Sequence, residues 1–264
     1  MVNMKKILFI FFFISSVGCS PIPKYSDIEL TWNKALIYFP ENVYDIYNQS
    51  LRIEEIEAYK LRPNNKAPLI IYLHGCTGLG ENRILKELSK TGFIVVAPDS
   101  FARNFRPMQC NPHTKKGGKN LFIYDFRSAE LTFALEKISK IPWIDFDNLF
   151  IFGVSEGAVT AALFRGRVFN GRIIAQWTCS GAPLVEGIDA PKGEPILSIV
   201  REKDPYYAED NTKSQEGNCG NYMLDRDNSK SIVLKNKKGI DSHNVLLEET
   251  SLREIKNFIK DNLK

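Results

Sequence analysis

The feature that most constrains the fold of this chain is the pentapeptide Gly153-Val154-Ser155-Glu156-Gly157. It directly follows an apolar run at residues 149–152 and precedes a helix-forming stretch at residues 158–169. A strand that breaks into Gly-x-Ser-x-Gly and continues as a helix predicts a sharp turn that lifts the serine hydroxyl above the edge of a sheet. Glycine on either side lets the strand and the helix approach closely. The pentapeptide therefore predicts a nucleophile elbow, although the five letters alone also occur in ordinary turns.

Strands and helices are predicted to alternate along most of the chain. Continuous apolar runs predict strands buried on both faces of a parallel sheet, and amphipathic stretches predict the helices between them. Residues 51–61 alternate apolar and polar side chains, which predicts an additional antiparallel strand. Because parallel neighbours can be joined only by a crossover, the alternation predicts a doubly wound, mostly parallel α/β sheet with helices on both faces. The predicted parallel strands span residues 68–73, 93–97, 149–152, 173–178, 195–200 and 231–234, and the predicted helices span residues 81–91, 125–138, 158–169 and 251–263.

The first residues of the chain predict an export signal. Two lysines precede an apolar run at residues 7–14, and small residues then lead to Cys19. This run is too short to span a membrane and is typical of a secretory signal peptide. The Gly-Cys pair resembles a bacterial lipoprotein processing site, with Ser16 where leucine is usual. Ordinary signal-peptidase cleavage is the alternative. We expect a signal peptide at 1–18, a linker at 19–30 with a lipid anchor on Cys19, and one domain at 31–264, exported to the periplasm or the cell surface.

The charge balance argues against nucleic acid as a partner. The chain carries a net charge of +4, which falls to +2 when residues 1–18 are removed. A net charge this close to neutral gives no argument for nucleic acid or an anionic membrane as a partner. About 245 remaining residues suffice for one α/β domain with a single sizeable core.

Four cysteines follow Cys19, and export would allow them to form disulfides. Cys110 and Cys219 both lie in polar loops rich in glycine, proline and asparagine, whereas Cys76 lies in a tight turn and Cys179 ends an apolar run. We therefore predict a disulfide between Cys110 and Cys219. Free thiols at all four positions are the alternative.

A serine hydroxyl needs a base before it can act as a nucleophile, and the chain offers three histidines. Chains with a nucleophile elbow place the catalytic residues in the order serine, acid, histidine. His74 and His113 precede Ser155, whereas His243 lies between the last predicted strand and the last predicted helix. His243 is therefore the predicted base.

The acid that orients the histidine should follow the predicted strand at residues 195–200. Asp204 lies in the turn at the end of this strand and precedes a proline, which favours an extended backbone at the aspartate. Asp204 is therefore the predicted acid, and Glu202 is the alternative. Asp241 lies only two residues from His243 and is predicted to serve the turn instead.

A His-Gly turn after the predicted strand at residues 68–73 supplies the remaining part of the site. Such a turn donates one backbone N–H to the oxyanion, and the residue after the nucleophile donates the other. The sequence therefore predicts an oxyanion hole formed by the amides of Cys76 and Glu156. His74 itself is predicted to be a structural hydrogen-bond partner beneath the turn.

Two loops are predicted to roof the site, because fourteen residues between Ser180 and Pro195 are too few for a helical cap. The first loop brings Phe101 and Arg103, and the second brings Tyr206; these three are the predicted substrate-binding residues. Arg103 or its neighbour Arg106 is predicted to meet an acidic group of the substrate, with a solvated basic loop as the alternative.

Several of these motifs carry a family resemblance. They are Leu-His-Gly-Cys-Thr-Gly at 73–78, Pro-Asp-Ser-Phe at 98–101, the pentapeptide at 153–157, Asp204 and His243. Together they resemble the dienelactone hydrolase branch of the α/β-hydrolase superfamily over about residues 50–264. The resemblance implies an α/β-hydrolase fold without a large cap domain and a triad of Ser155, Asp204 and His243. Dienelactone hydrolases proper have cysteine in place of Ser155, which favours a general serine ester hydrolase.

The predicted function is cleavage of small or exposed carboxylic esters through an acyl-enzyme intermediate, with neither a metal nor an organic cofactor. The same machinery cleaves amides and thioesters, so a peptidase or a thioesterase is the nearest alternative. A surface lipoprotein that uses the fold as a binding module is the alternative from another class.

Overall fold

The computed structural model describes residues 24–41, 50–59, 65–80, 83–182, 184–206, 218–240, 243–246 and 248–264. The predicted signal peptide and the predicted lipidation site at Cys19 lie outside these residues. Within them, no helix is both long enough and apolar enough to cross a bilayer.

The described residues form one eight-stranded sheet with the strand order β2-β1-β4-β3-β5-β6-β7-β8. Strand β1 pairs antiparallel with β2 and with β4, and the pairs from β4 to β8 are parallel. This confirms the predicted mostly parallel sheet. The strands are β1 Leu36–Tyr38, β2 Ser50–Arg52, β3 Ala67–Leu73, β4 Ile94–Ala97, β5 Ile144–Val154, β6 Gly171–Ala175, β7 Ile196–Arg201 and β8 Lys230–Leu234.

Helices cover both faces of the sheet. One face packs against α1, α2, α4 and α5, and the other packs against α3 and α6. Strand β3 supplies both cores, because Leu69 and Ile71 face the first set of helices and Ile70 and Tyr72 face the second. The helices are α1 Asp27–Asn33, α2 Ile53–Tyr59, α3 Arg83–Ser89, α4 Ile123–Ile138, α5 Glu156–Leu163 and α6 Glu249–Asp261.

The predicted antiparallel strand at residues 51–61 is wrong at residues 53–59. Strand β2 ends at Arg52, and α2 covers Ile53–Tyr59. Ile53 and Ile56 are both buried, and their spacing of three residues puts them on one face of a helix, whereas in a strand they would point to opposite faces. The glutamates around them favour a helix over a strand.

Helix α1 begins at Asp27, inside the stretch that the sequence assigned to a linker. Ser26 and Glu29 form a capping box: the Ser26 hydroxyl accepts from the Glu29 N–H at 3.4 Å, and Glu29 Oε2 accepts from the Ser26 N–H at 2.8 Å. The sequence signal for this helix, a serine followed three residues later by glutamate, is therefore present. Strand β1, three residues long, was also not predicted.

Helix α5 ends at Leu163, six residues before the predicted end. The buried guanidinium of Arg172 explains this end, because it donates to the carbonyls of Ala161 at 2.9 Å, Phe164 at 2.6 Å and Gly166 at 2.9 Å. These carbonyls find their donors on a neighbouring strand rather than in another helical turn.

Candidate active site

Ser155 lies at the apex of a tight turn between β5 and α5. Its backbone has φ 53° and ψ −114°, a conformation that costs energy for any residue with a side chain. A Cβ at Gly153 would collide with the backbone of Gly157, and a Cβ at Gly157 would collide with the backbone of Leu73. Both glycines are therefore required by the close approach of strand and helix, as a nucleophile elbow demands.

The structure brings together Ser155, His243 and Asp204, although 88 residues separate the serine from the histidine. Ser155 Oγ lies 3.1 Å from His243 Nε2, and His243 Nδ1 lies 2.7 Å from Asp204 Oδ2. The Asp204 carboxylate is buried and also accepts from the N–H of Tyr206 at 3.0 Å. Because a carboxylate can only accept, Nδ1 carries the proton and Nε2 is left to accept from the serine hydroxyl.

The two alternative acids lie elsewhere. Glu202 is bound at the surface by Lys235 Nζ at 2.8 Å and by the N–H of Asn236 at 3.2 Å. Asp241 lies outside the described residues. Among the acids that the structure describes, Asp204 is the one that reaches His243.

The turn at Gly75 places the predicted oxyanion amides next to the nucleophile. A Cβ at Gly75 would lie 3.3 Å from Ser155 Cβ, so the turn passes directly beside the serine. Gly78 N–H donates to the Gly75 carbonyl at 3.2 Å and closes the turn. In the described part of the chain, the amides of Cys76 and Glu156 donate to no other group, which leaves them available to an oxyanion.

His74 is locked beneath this turn as a neutral side chain. Its Nδ1 donates to the Gly75 carbonyl at 2.7 Å, and its Nε2 accepts from the N–H of Ser100 at 3.0 Å. Burial, and after it the positive charge of Arg127, holds the pKa of His74 well below its ordinary value. His74 thus acts as a structural hydrogen-bond partner that joins the turn to the end of β4.

A buried cluster of charges lies behind the elbow and was not predicted. Glu156 pairs with Arg106 at 2.5 Å and with Arg127 at 3.3 Å. Glu130 pairs with Arg103 at 2.8 Å and with Arg127 at 3.3 Å. All five side chains are at least nine-tenths buried. Each charge therefore depends on its partners to offset the loss of hydration.

This cluster changes the interpretation of the predicted substrate-binding residues. The structure turns Arg103 and Arg106 inward to the two buried glutamates, so it does not bring them to the substrate cleft. Phe101 packs beside Gly78 and under the Arg106 guanidinium, which lies 4.2 Å from its ring centre. Tyr206 does reach the site: its ring lies 4.3 Å from the His243 ring, centre to centre.

A cleft of about 650 Å³ opens from Ser155. His243, Gln176 and Tyr206 line the end near the nucleophile. The rest of the lining combines apolar and charged side chains; the apolar ones are Leu79, Ile84, Leu246 and Leu252, and the charged ones are Arg83, Glu87, Glu248 and Glu249. The cleft therefore offers both apolar and charged surface beside the reactive groups.

The predicted disulfide between Cys110 and Cys219 is wrong. The structure joins Cys76 to Cys110 with the Cα atoms 5.9 Å apart, and Cys179 to Cys219 with the Cα atoms 5.0 Å apart. Similar loop composition was a poor guide, because pairing depends on which segments meet in three dimensions. The loop after β4 folds back onto the oxyanion turn, whereas Cys219 begins a short 3₁₀ turn against the end of β6.

The described residues contain no group of three or more histidine, cysteine, aspartate or glutamate side chains that could hold a metal ion.

No protein-family model and no curated protein matches the chain. Solved structures do. A thermostable esterase matches with a TM-score of 0.51 and 14% identity, over 87% of this chain and 59% of that chain. A protein from Klebsiella pneumoniae assigned as a dienelactone hydrolase matches with a TM-score of 0.51 and 14% identity, over 76% of this chain and 88% of that chain. Est1E from Butyrivibrio proteoclasticus matches with a TM-score of 0.51 and 14% identity, over 86% of this chain and 93% of that chain. This chain thus spans about three fifths of the thermostable esterase, and at such identities the likeness shows the α/β-hydrolase fold.

Proposed function

We propose that this chain is a serine hydrolase that cleaves carboxylic esters through an acyl-enzyme intermediate. The observation that carries the proposal is the continuous hydrogen-bonded line from Ser155 Oγ through His243 to the buried Asp204. Ser155, at one end of that line, lies in a strained turn and lines the cleft. The resemblance of the sequence to dienelactone hydrolases and the esterases among the similar structures support the same class of reaction.

In the first half of the reaction, Ser155 Oγ attacks the ester carbonyl while His243 Nε2 removes the hydroxyl proton. The carbonyl oxygen becomes an anion and accepts hydrogen bonds from the amides of Cys76 and Glu156. When this intermediate collapses, the bond to the alcohol oxygen breaks, and His243 returns its proton to the leaving alcohol. The acid part of the ester stays bonded to Ser155.

In the second half, a water molecule loses a proton to His243 and attacks the acyl-enzyme from the same side. The intermediate again forms and collapses, Ser155 recovers its proton from His243, and the acid is released. Asp204 keeps the imidazole in the tautomer that both halves need and stabilises the imidazolium that forms in each.

The cleft favours small esters with an apolar acyl group. The apolar side chains of its lining, Leu79 and Leu252 among them, can contact an aliphatic or aromatic chain, while Ser155 and His243 present the reacting groups. The described residues between β6 and β7 contain no helix that would cover the cleft, which suits esters that are exposed on a larger molecule.

Labelling with a fluorophosphonate tests the proposal. The chain from Ser20 onward would be treated beside its Ser155→Ala and His243→Ala variants, with His113→Ala as the matched control, because His113 lies in an exposed loop. We expect one adduct, mapped to Ser155, that persists in the control and disappears in both site variants. A folded chain that takes up no label would refute the proposal and favour a binding module.

A second measurement separates the proposed reaction from that of a peptidase. The kcat/KM of the unsubstituted chain from Ser20 onward would be measured for ester, thioester and amide substrates that share one acyl group. We expect kcat/KM to be highest for the ester or thioester, because their leaving groups need less help from His243 than an amine does. A preference for the amide would instead assign the chain to the peptidases.

A further inference from the structure

The loop after β4, residues 100–122, carries exposed apolar side chains that the chemistry at Ser155 does not use; we refer to it as the roof segment. It contributes five of the twelve exposed large apolar side chains among the described residues. Soluble proteins rarely keep such side chains together in water unless the surface has a partner. The five are 48% to 68% exposed and form what we call the apolar patch: Phe101, Phe105, Met108, Leu121 and Phe122.

Contacts within the roof segment bring its two ends to one surface. Met108 Sδ lies 3.8 Å from Lys119 Nζ, and the Lys119 N–H donates to the Gln109 carbonyl at 3.2 Å. The guanidinium of Arg103 lies 5.2 Å from the ring centre of Phe126, one helical turn after Phe122. The residues around Phe105 and Met108 therefore lie beside those around Leu121 and Phe122.

The charge of the roof segment is entirely positive. It contains two arginines, three lysines and no acid. The arginines pair with buried glutamates, so they do not contribute to the surface. Lys116 and Lys119 are exposed and form no ion pair within the described residues. Asp99 directly precedes the roof segment and pairs with Arg52 at 3.3 Å, and Asp27 lies at the other end of the patch, beside Phe105. The cationic edge is therefore confined to Lys116 and Lys119, and this edge suits an anionic partner.

The described chain also starts at this surface. Asp27, the first residue of α1, accepts from the N–H of Asn104 at 3.1 Å and from the N–H of Phe105 at 3.2 Å. Lys24, where the described residues begin, lies three residues before Asp27. Cys19, the predicted lipidation site, lies five residues before Lys24 and can reach at most about 18 Å from it. A lipid there would hold this surface against the membrane.

We propose that the apolar patch and its lysines dock on an anionic lipid bilayer. Phe105, Met108 and Phe122 enter the boundary between headgroups and acyl chains, while Lys116 and Lys119 meet lipid phosphates. Because Cys110 of the roof segment is bonded to Cys76 at the cleft, docking places the ester site next to the bilayer. The docking surface is independent of the proposed reaction.

Vesicle sedimentation of the chain from Ser20 onward tests this proposal. That chain keeps every described strand and helix but lacks the predicted lipid, so binding reports the patch alone. The patch variant is Phe105→Ser/Met108→Ser/Phe122→Ser. The matched control, Phe146→Ser/Leu184→Ser/Leu224→Ser, removes three apolar side chains that are exposed elsewhere. A second variant, Lys116→Glu/Lys119→Glu, tests the charges without changing the apolar residues.

We expect the parent chain and the control to bind vesicles of phosphatidylglycerol and phosphatidylcholine more tightly than vesicles of phosphatidylcholine alone. The patch variant and the lysine variant should each lose about tenfold or more in affinity. Equal binding of the patch variant and the control, or no binding by the parent chain, would overturn the proposal. Self-association of the parent chain that depends on the patch, without vesicle binding, would overturn it in favour of a second copy. Turnover of a water-soluble ester, measured in parallel, should be unchanged and keeps this test separate from the proposed reaction.

Discussion

Two layers of side chains meet at Ser155, and they differ in what surrounds them. The reacting layer, Ser155, His243 and Asp204, opens onto the cleft and is joined by hydrogen bonds. The supporting layer lies behind the elbow and the oxyanion turn, is closed to solvent and is joined mainly by ion pairs; it comprises His74, Arg103, Arg106, Arg127, Glu130 and Glu156.

Glu156 shows why both layers are needed. Its amide is a predicted oxyanion donor, whereas its carboxylate pairs with Arg106 and Arg127. Groups that stabilise a transition state work best when they need not reorganise during the reaction. The supporting layer thus fixes the backbone of Glu156, whose amide is a predicted oxyanion donor. The comparison predicts that changes in the first layer affect turnover alone, whereas changes in the second affect stability and turnover together.

The largest effect is expected in the reacting layer. Asp204→Asn should lower kcat by about 10⁴-fold, because an amide in this place favours the wrong tautomer of His243. Its free energy of unfolding should change little, since the shape of the side chain is kept. Steady-state turnover and urea unfolding measure the two quantities. Glu202→Gln is the matched control, and a comparable loss of turnover in that variant would mean that the acid has been misassigned.

The next largest effect is expected at Glu156. Glu156→Gln removes the carboxylate that Arg106 and Arg127 share and leaves two buried cations short of a partner. We expect a loss of about 3–5 kcal/mol in the free energy of unfolding, with a fall in kcat. The control is Glu136→Gln in the exposed pair with Lys140, for which a loss of less than about 1 kcal/mol is expected. If the two variants unfold alike, the supporting layer does not stabilise the fold.

The two disulfides sharpen the same comparison. They close loops of similar length, with sequence separations of 34 and 40, so Cys→Ala replacement of either pair should cost about 2–4 kcal/mol of stability. Only the pair Cys76–Cys110 carries a predicted oxyanion donor. Its removal should also lower kcat, by no more than the roughly 10²–10³-fold of a lost donor.

Removal of Cys179–Cys219 is the control for this effect, because both of its sulfurs are fully buried away from the cleft. Thermal unfolding and turnover of both double variants would be measured. Equal loss of turnover in the two would show that the Cys76–Cys110 bond has no special role at the site.

The smallest effect concerns pH. The folded chain holds the pKa of His74 below its ordinary value of 6.5, so the unfolded chain binds a proton there that the folded chain does not. The contribution of neutral His74 to the free energy of unfolding is fully present above pH 6.5. It decreases as the pH drops below 6.5, by up to about 1.4 kcal/mol per pH unit. His74→Gln should flatten this part of the stability profile, whereas the exposed His113→Gln should not. Urea unfolding between pH 7 and pH 5 measures the difference, and parallel profiles for all three chains would contradict a neutral His74.

The two layers also differ in how far a sequence can predict them. Chain order and the elbow motif selected the three residues that the structure brings together at Ser155, because the motif requires a strand, a turn and a helix in that order. The sheet was predictable for a similar reason, since its central strands are short apolar runs.

The supporting layer could not be predicted in the same way. The sequence around Arg103 and Arg106 is typical of a basic surface loop. No sequence pattern near Glu130 or Glu156 indicates that these two residues lie beneath that loop. The same limit explains the wrong disulfide at Cys110, whose partner depends on where the loop after β4 folds. The error at residues 51–61 is different in kind, because the spacing of three residues between Ile53 and Ile56 already favoured a helix over a strand.

The shared carboxylate of Glu156 has a consequence for how such chains can diverge. A substitution at position 156 alone leaves Arg106 without a carboxylate partner and leaves Arg127 with Glu130 alone, and a substitution at either arginine weakens the hold on the Glu156 carboxylate. In homologous sequences these three positions should therefore change as a group, for instance to an uncharged set in a single lineage. The exposed Lys116 and Lys119 form no ion pair within the described residues and should change independently of that group.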